Sequence, residues 1–284
     1  MISACHIRVK RDGRGAMSVQ SIRRGVRLLQ ILAERRTDLS LREISRLAAL
    51  PPSTAHRLLL TLAEDCLVTP LPGGCFRLGL EVARLGDAAV TVLRLSPTVH
   101  ELVRAVCEAT QETIGLVQLV DGAAAVIDRV ESPHPLRYEL GIGSRVPLHC
   151  TASGKVLLAF GFGGPLATAI PDPIESRTAA TIASRERLSA EIERIRRQGF
   201  GFDDEEYVVG LRCVAVPIFA ADGRAGHALA ASGPTGRFGD ARIPLLVDTL
   251  RDTALAIERV LGYPTNGRGA PDPSDTLRSA ARDS

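Results

Sequence analysis

Four stretches of this sequence hold side chains able to do chemistry. The first, Pro52-Ser53-Thr54-Ala55-His56-Arg57, sets two short hydroxyl donors, an imidazole and a guanidinium side by side. Arg57 has the fork that bonds guanine bidentately; His56, Ser53 and Thr54 suit a base edge or a phosphate. The plainer reading of a Ser-Thr pair there is helix capping. The second, Thr151-Ala152-Ser153-Gly154-Lys155, places small residues ahead of an apolar run. If that run is a helix, its unpaired N–H groups and partial positive charge suit a carboxylate. It is no phosphate-cradling loop, because His149 stands where the first glycine belongs and Val156 follows the lysine. Lys155, one of two lysines among 35 basic residues, either adds charge at this end or points into solvent. The third is the acidic run Asp203-Asp204-Glu205-Glu206. The fourth is Cys213 at the head of an apolar strand, with His149 as the best available base for a thiolate nucleophile. Nothing in the sequence brings those two together, and a free cysteine in such a strand is most often an inert core residue.

The elements that must position these groups are legible from periodicity. Val19, Ile22, Val26, Leu29 and Ile31-Leu32 fall at helical spacing through about Arg35. Ser40 with Glu43 forms an S-x-x-E capping box opening a short helix with Ile44 and Leu47. Leu50-Pro51-Pro52 ends it, since proline disfavours helical geometry in the residue before it. Ser53 is expected to cap the next helix, which runs to about Asp65. Extended stretches at Leu67–Thr69 and Cys75–Leu78 flank the turn Pro72-Gly73-Gly74. Helix, helix, tight turn, helix and hairpin is the layout of a winged helix-turn-helix, whose second motif helix enters the major groove.

Beyond Gly79 a connecting helix runs to about Leu95, and another covers Thr98–Glu112. Strands are expected at Leu116–Val120 and Ala123–Val130 about the Asp121-Gly122 turn, at Leu136–Leu140, Val214–Phe219 and Ala228–Ala231. Helices are expected at Ala152–Phe160, Arg185–Gln198 and Asp240–Leu261. Hairpins without strict βα alternation give an α+β class with a mainly antiparallel sheet and flanking helices.

Composition sorts the function classes. Residues 1–80 hold 13 Lys/Arg against 6 Asp/Glu, a balance of +7, while the remainder stands at −4 within a total of +3. A basic front module beside a mildly acidic larger one fits a polyanionic partner at the front. Arg23, Arg24 and Arg27 early in the first helix, and Arg77 on the wing, are candidates to neutralise phosphates. The six cysteines contain no C-x-x-C pair, so neither a disulfide framework nor a zinc site is expected. No apolar run reaches the ~18 residues of a membrane span. A cytoplasmic protein without metal or cofactor is the expectation, with a cysteine-dependent hydrolase or a protein-interaction adaptor as the competing readings.

The segment from Leu41 to Leu62, followed by Phe76-Arg77-Leu78-Gly79, resembles the DNA-binding half of IclR-type transcriptional regulators. Pro147-Leu148-His149-Cys150 with Thr151–Lys155, then Gly201–Tyr207, Gly210–Pro217 and Ala231-Ser232-Gly233-Pro234, resemble that family's sensor half in order. The resemblance spans roughly Val19 to Leu261 and implies a GAF-like effector domain, a homodimer or dimer of dimers, and a near-palindromic double-stranded operator. The expected organisation is an arm over 1–17, a winged helix-turn-helix over 18–79 with its motif at about 40–60, a linker helix over 80–95, the effector domain over 96–262, and a disordered tail over 263–284. DNA contacts are expected from Arg24, Ser53, Thr54, His56, Arg57 and Arg77. By resemblance the effector meets Ala152, Ser153, Asp203, Cys213 and Ser232, with Thr151 and Gly154 completing the helix start. An ionised Asp203 would repel a carboxylate, so it is read as accepting from a ligand hydroxyl or a backbone donor, with an exposed acidic turn as the alternative. Ala230 stands where some relatives carry a second hydroxyl, which points to an aromatic or longer-chain carboxylate. Repression is the expected mode.

Overall fold

The computed structural model describes residues 19–263 apart from 36, 94, 121 and 164. The arm expected over 1–17, and the expected tail apart from Tyr263, lie outside those residues. The chain forms two compact units that divide between Ala89 and Val90.

The first unit contains α1 (Gln20–Arg35), β1 (Leu39–Ser40), α2 (Leu41–Ala48), α3 (Pro52–Glu64), β2 (Val68–Leu71) and β3 (Cys75–Leu78); α4 (Leu80–Leu93) spans the division. Leu28, Ile31 and Leu32 of α1 close a core with Leu39, Ile44, Leu59, Val68 and Phe76. The capping box at Ser40 is present: Ser40 Oγ accepts from the Glu43 amide, and Glu43 accepts from the Ser40 amide at 2.9 Å. Helix α2 stops at Ala49, whose left-handed φ of 52° turns the chain. The capping expected of Ser53 fails. Pro51 is the N-cap residue and α3 opens at Pro52, because proline's fixed φ and missing N–H suit the first helical position. Ser53 therefore sits exposed in the first turn. A two-residue strand, β1, also joins the wing, giving the order β1-β3-β2.

The second unit contains α5 (Pro97–Thr110), β4 (Thr113–Val120), β5 (Ala123–Val130), β6 (Arg145–Val146), α6 (Ala152–Phe160), α7 (Leu166–Ala169), α8 (Arg185–Gln198), β7 (Gly201–Asp204), β8 (Leu211–Phe219), β9 (Ala225–Pro234) and α9 (Ile243–Val260). The sheet runs β6-β5-β4-β9-β8-β7 with antiparallel pairs. One face (Ile114, Leu116, Val214, Val216, Leu229) packs on α5 and α9; the other (Val117, Ala124, Val126, Ala215, Ala228) packs on α6 and α8. The strand expected at Leu136–Leu140 is absent, because the Arg129 guanidinium holds the carbonyls of Tyr138 and Leu140 and takes that backbone away from a ladder. The helix expected from Asp240 begins as a 3₁₀ turn, with α9 proper starting at Ile243.

Two features of this unit position the site. A register shift pairs Leu116 with Asp128 but Val117 with Val126, which leaves Ile127 as a bulge in β5. Glycine then brings α6 in close. A Cβ at Gly154 would lie 2.5 Å from the Pro147 carbonyl, and one at Gly201 would lie 2.7 Å from the Ala152 carbonyl. Among the described residues no helix is long and apolar enough to cross a membrane.

Candidate functional site

In the first unit, α3 buries Ala55 and Leu59 and exposes Ser53, His56, Arg57 and Leu60. That is one helical face at i, i+3, i+4 and i+7. Thr54 is half-buried at its edge. The His56 ring meets Phe76 of β3 edge to face at 6.4 Å, so the wing steadies the imidazole. Arg24 lines a groove with Gln20, Arg23, Arg27, Ala48 and Leu50, which sets three guanidinium groups beside the turn between α2 and α3. Arg27 lies 3.7 Å from Glu34, and Arg77 is held more closely: its Nε and Nη2 bond both carboxylate oxygens of Asp38 at 3.0 and 2.9 Å. A phosphate contact by Arg77 has to share that pair.

In the second unit a cavity opens between the sheet and the start of α6. It encloses about 570 Å³ of empty space with its mouth included. Its lining contains Thr151, Ala152, Ser153, Asp203, Cys213 and Ser232. The pairing explains this convergence, since Thr113 faces Ser232, Ser232 faces Cys213, and Cys213 faces Asp203 across four neighbouring strands. Gly154 is the exception. It lies outside the lining, and its missing side chain serves the close approach of α6 to the 147–148 backbone.

Polar groups at this end are only partly satisfied. Thr151 Oγ1 caps α6 by accepting from the Gly154 amide at 3.1 Å, and the Lys155 amide bonds the Thr151 carbonyl. The amides of Ala152 and Ser153 precede the helix's first internal bonds and face this end. Asp203 is fully buried. Its Oδ1 accepts from the amides of Glu206 at 2.8 Å and Tyr207 at 3.4 Å, while its Oδ2 is buried without a hydrogen-bond partner. Burial raises the Asp203 carboxyl to about 7; those two amides and the charge of Lys155 hold it from rising further. The exposed acidic turn is thus not its setting. Burial also drives the Cys213 thiol well above its ordinary value and the Cys150 thiol up to about 12, so neither is an activated nucleophile. His149 bonds the Glu175 carbonyl at 2.8 Å.

Lys155 resolves the two readings of it by a third. It is wholly buried beneath the site, with Nζ bonded to Glu206 and to the Phe202 carbonyl at 2.5 Å and with Glu191 at 3.5 Å. It braces β7, which carries Asp203, and the turn after it, and lies outside the cavity lining.

Arg129, Tyr138, Tyr207 and Gly115 also line the cavity and escaped the sequence reading. The side chain of Arg129 is 8% exposed; its terminal nitrogens donate to the Leu140 and Tyr138 carbonyls, and its Nε is buried without an acceptor. Tyr138 and Tyr207 stand edge to face at 6.2 Å. The signal that could have found Arg129 was a charged pair, Asp128-Arg129, near the end of an otherwise apolar strand.

Residues 87–259 match the family model described as bacterial transcriptional regulator IclR C-terminal, and residues 21–72 match the IclR helix-turn-helix domain. The HTH-type transcriptional regulator XynR of Escherichia coli (strain K12) is 34% identical over 250 residues, covering 87% of this chain and 98% of that one. The transcriptional repressor IclR of the same organism is 32% identical over 229 residues, covering 79% and 84%. Among solved structures, an IclR homolog from Microbacterium hydrocarbonoxydans complexed with 4-hydroxybenzoate superposes with a TM-score of 0.69 at 26% identity, covering 85% and 98%.

Proposed function

The chain belongs to the IclR family of DNA-binding bacterial transcriptional regulators with an effector-binding C-terminal domain, and we propose that it represses transcription until an aromatic or longer-chain carboxylate fills the cavity of the second unit. The observation that carries the effector class is that cavity itself. Its walls between the polar end and β5 are Gly115, Val117, Val126, Leu140 and Ala230, which offer an apolar ring a place and a two- or three-carbon keto acid little. Ala230 supplies no hydroxyl beside Ser232. The relative that carries 4-hydroxybenzoate supports the same class. Thr151, Ala152, Ser153, Asp203, Cys213 and Ser232 are the proposed contacts, with Gly154 holding the helix start in place.

On the DNA side, α3 lies in the major groove with Arg57 and His56 on base edges. Ser53, Thr54, Arg24 and the other arginines of its groove meet phosphates, and Arg77 meets one in competition with Asp38. A dimer presents two such helices about 34 Å apart to a near-palindromic operator. Effector binding changes operator affinity only through a preference for one arrangement of the two helices, and α4 is the proposed lever. The test is footprinting of the chain's own upstream DNA with and without a panel of acids. Protection of a symmetric site that is released by an aromatic acid is expected. Release by glyoxylate or pyruvate alone overturns the effector class, and no protection at low salt overturns the DNA reading.

A further inference from the structure

We propose that Arg129 is the anion partner of the effector, so that the cavity takes a hydroxy-substituted acid with its carboxylate at Arg129 and its hydroxyl at Asp203. The inference rests on the reading of the cavity as the effector site and fixes which way the ligand lies in it.

Two unmet groups define the polarity. Arg129 commits its terminal nitrogens to two carbonyls, and its nearest carboxylate among the ion pairs is Glu131 at 3.9 Å, itself 47% exposed. Its Nε is buried with no acceptor. Leaving a buried charged donor unpaired is costly, and a carboxylate supplies both the acceptor and the countercharge. Asp203 presents the opposite need. Its Oδ1 is satisfied by two amides, while Oδ2 is a buried acceptor with nothing donating to it. A carboxylate placed there would meet a like charge whenever Asp203 is ionised, whereas a hydroxyl donates to the ionised carboxyl and accepts from the protonated one.

The two residues occupy opposite ends of one cavity. Arg129 stands on β5 and Asp203 on β7, with β4, β9 and β8 between them. Four strand spacings of about 4.8 Å put these backbones roughly 19 Å apart, so a ligand touching both side chains is longer than a three-carbon acid. The bulge at Ile127 is what aims Arg129 here. Without it, Val126 and Arg129, three residues apart, would face opposite sides of the sheet; with it, both stand opposite cavity-lining residues of β4, Val117 and Gly115.

The test is isothermal titration of the full chain with three probes: para-hydroxyphenylpropanoate, phenylpropanoate lacking the hydroxyl, and the primary amide of the hydroxylated acid. The native protein is expected to bind the hydroxy acid about tenfold or more tightly than either analogue, the scale of one hydrogen bond to a charged group. Arg129→Gln should erase the preference for acid over amide and keep the preference for the hydroxyl, and Arg129→Lys should restore part of the first. Native protein that binds acid and amide alike overturns the role of Arg129 even if the variants do not fold. Arg129→Gln that keeps the acid preference overturns it as well, while the effector site stands. A folded native protein that binds none of the three overturns the effector class and this orientation together.

Discussion

Substituting Asp203 by asparagine probes the electrostatics of the cavity through stability. Burial holds the folded Asp203 carboxyl at about 7, against an ordinary value of 3.8. Between those values the folded protein keeps a proton that the unfolded chain has released. Its contribution to stability is therefore complete below the unfolded value and is lost as pH rises through about 7. From about pH 5 to about pH 8 the loss spans two units below the folded value at about 1.4 kcal/mol each, or roughly 2–3 kcal/mol. The amide of the Asp203→Asn variant is neutral throughout, and its carbonyl oxygen can still accept from the amides of Glu206 and Tyr207 that Asp203 Oδ1 now holds. The neighbouring groups Lys155, Glu206, Cys150 and Cys213 are present in both proteins, so their titration largely cancels in the difference. Urea unfolding of ligand-free protein, followed by circular dichroism at both pH values, reads it directly. Native stability minus Asp203→Asn stability should fall by about 2–3 kcal/mol on going to the higher pH. A difference that stays constant within about 0.5 kcal/mol across that range would refute the claim that burial dominates this carboxyl.

Three further outcomes follow from the same contacts. Arg57→Ala should weaken operator binding by about tenfold or more while changing affinity for random duplex far less, because the base contact proposed for it, if bidentate, is worth about 1–3 kcal/mol of discrimination; gel-shift titrations on both DNAs check it. Gly115→Val should abolish effector binding and leave operator binding intact, since a Cβ there meets nothing within 4 Å and the added methyls enter the cavity; titration calorimetry beside a gel shift reads both. Lys155→Met should cost about 3–5 kcal/mol in urea unfolding by leaving Glu206 buried and unpaired, and adding Glu206→Leu should recover most of it.

The front unit was legible because its signals are local. The Ser40–Glu43 box, the proline pair and the Gly73-Gly74 turn each act within a few residues, and each has a structural counterpart. Where the reading erred there, at Ser53, two local rules competed: a serine able to cap and a proline preferring the first helical position, and the proline won. In the second unit α6 and α8 matched their expected bounds, since apolar spacing and the Gly199 stop are also local. The strand expected at Leu136–Leu140 looked equally local and was wrong. Its backbone is claimed by a guanidinium from another strand, a long-range contact that no periodicity records.

The same distinction separates the visible part of the cavity from the hidden part. Thr151, Asp203, Cys213 and Ser232 sit in motifs that announce themselves, but the space between them depends on what is missing. Gly115 pairs with Ala230, Ala230 with Ala215, and Ala215 with Gly201, a row across the sheet with no side chain larger than a methyl. Each of these residues alone is ordinary, and only the register aligns them. Arg129 extends that row opposite Gly115, and it does so because one residue is looped out of β5. Strict alternation read from the sequence gives Val126 and Arg129 opposite faces, so a correct periodic argument hides the charge from the cavity. The cavity's volume therefore follows from the absence of side chains along one row, and its polarity from a bulge. Deleting Ile127 would make the pairing regular while keeping Val126 opposite Val117 and Arg129 opposite Gly115, so the preference for acid over amide should survive that deletion, whereas Arg129→Gln leaves the apolar walls with no countercharge for an acid.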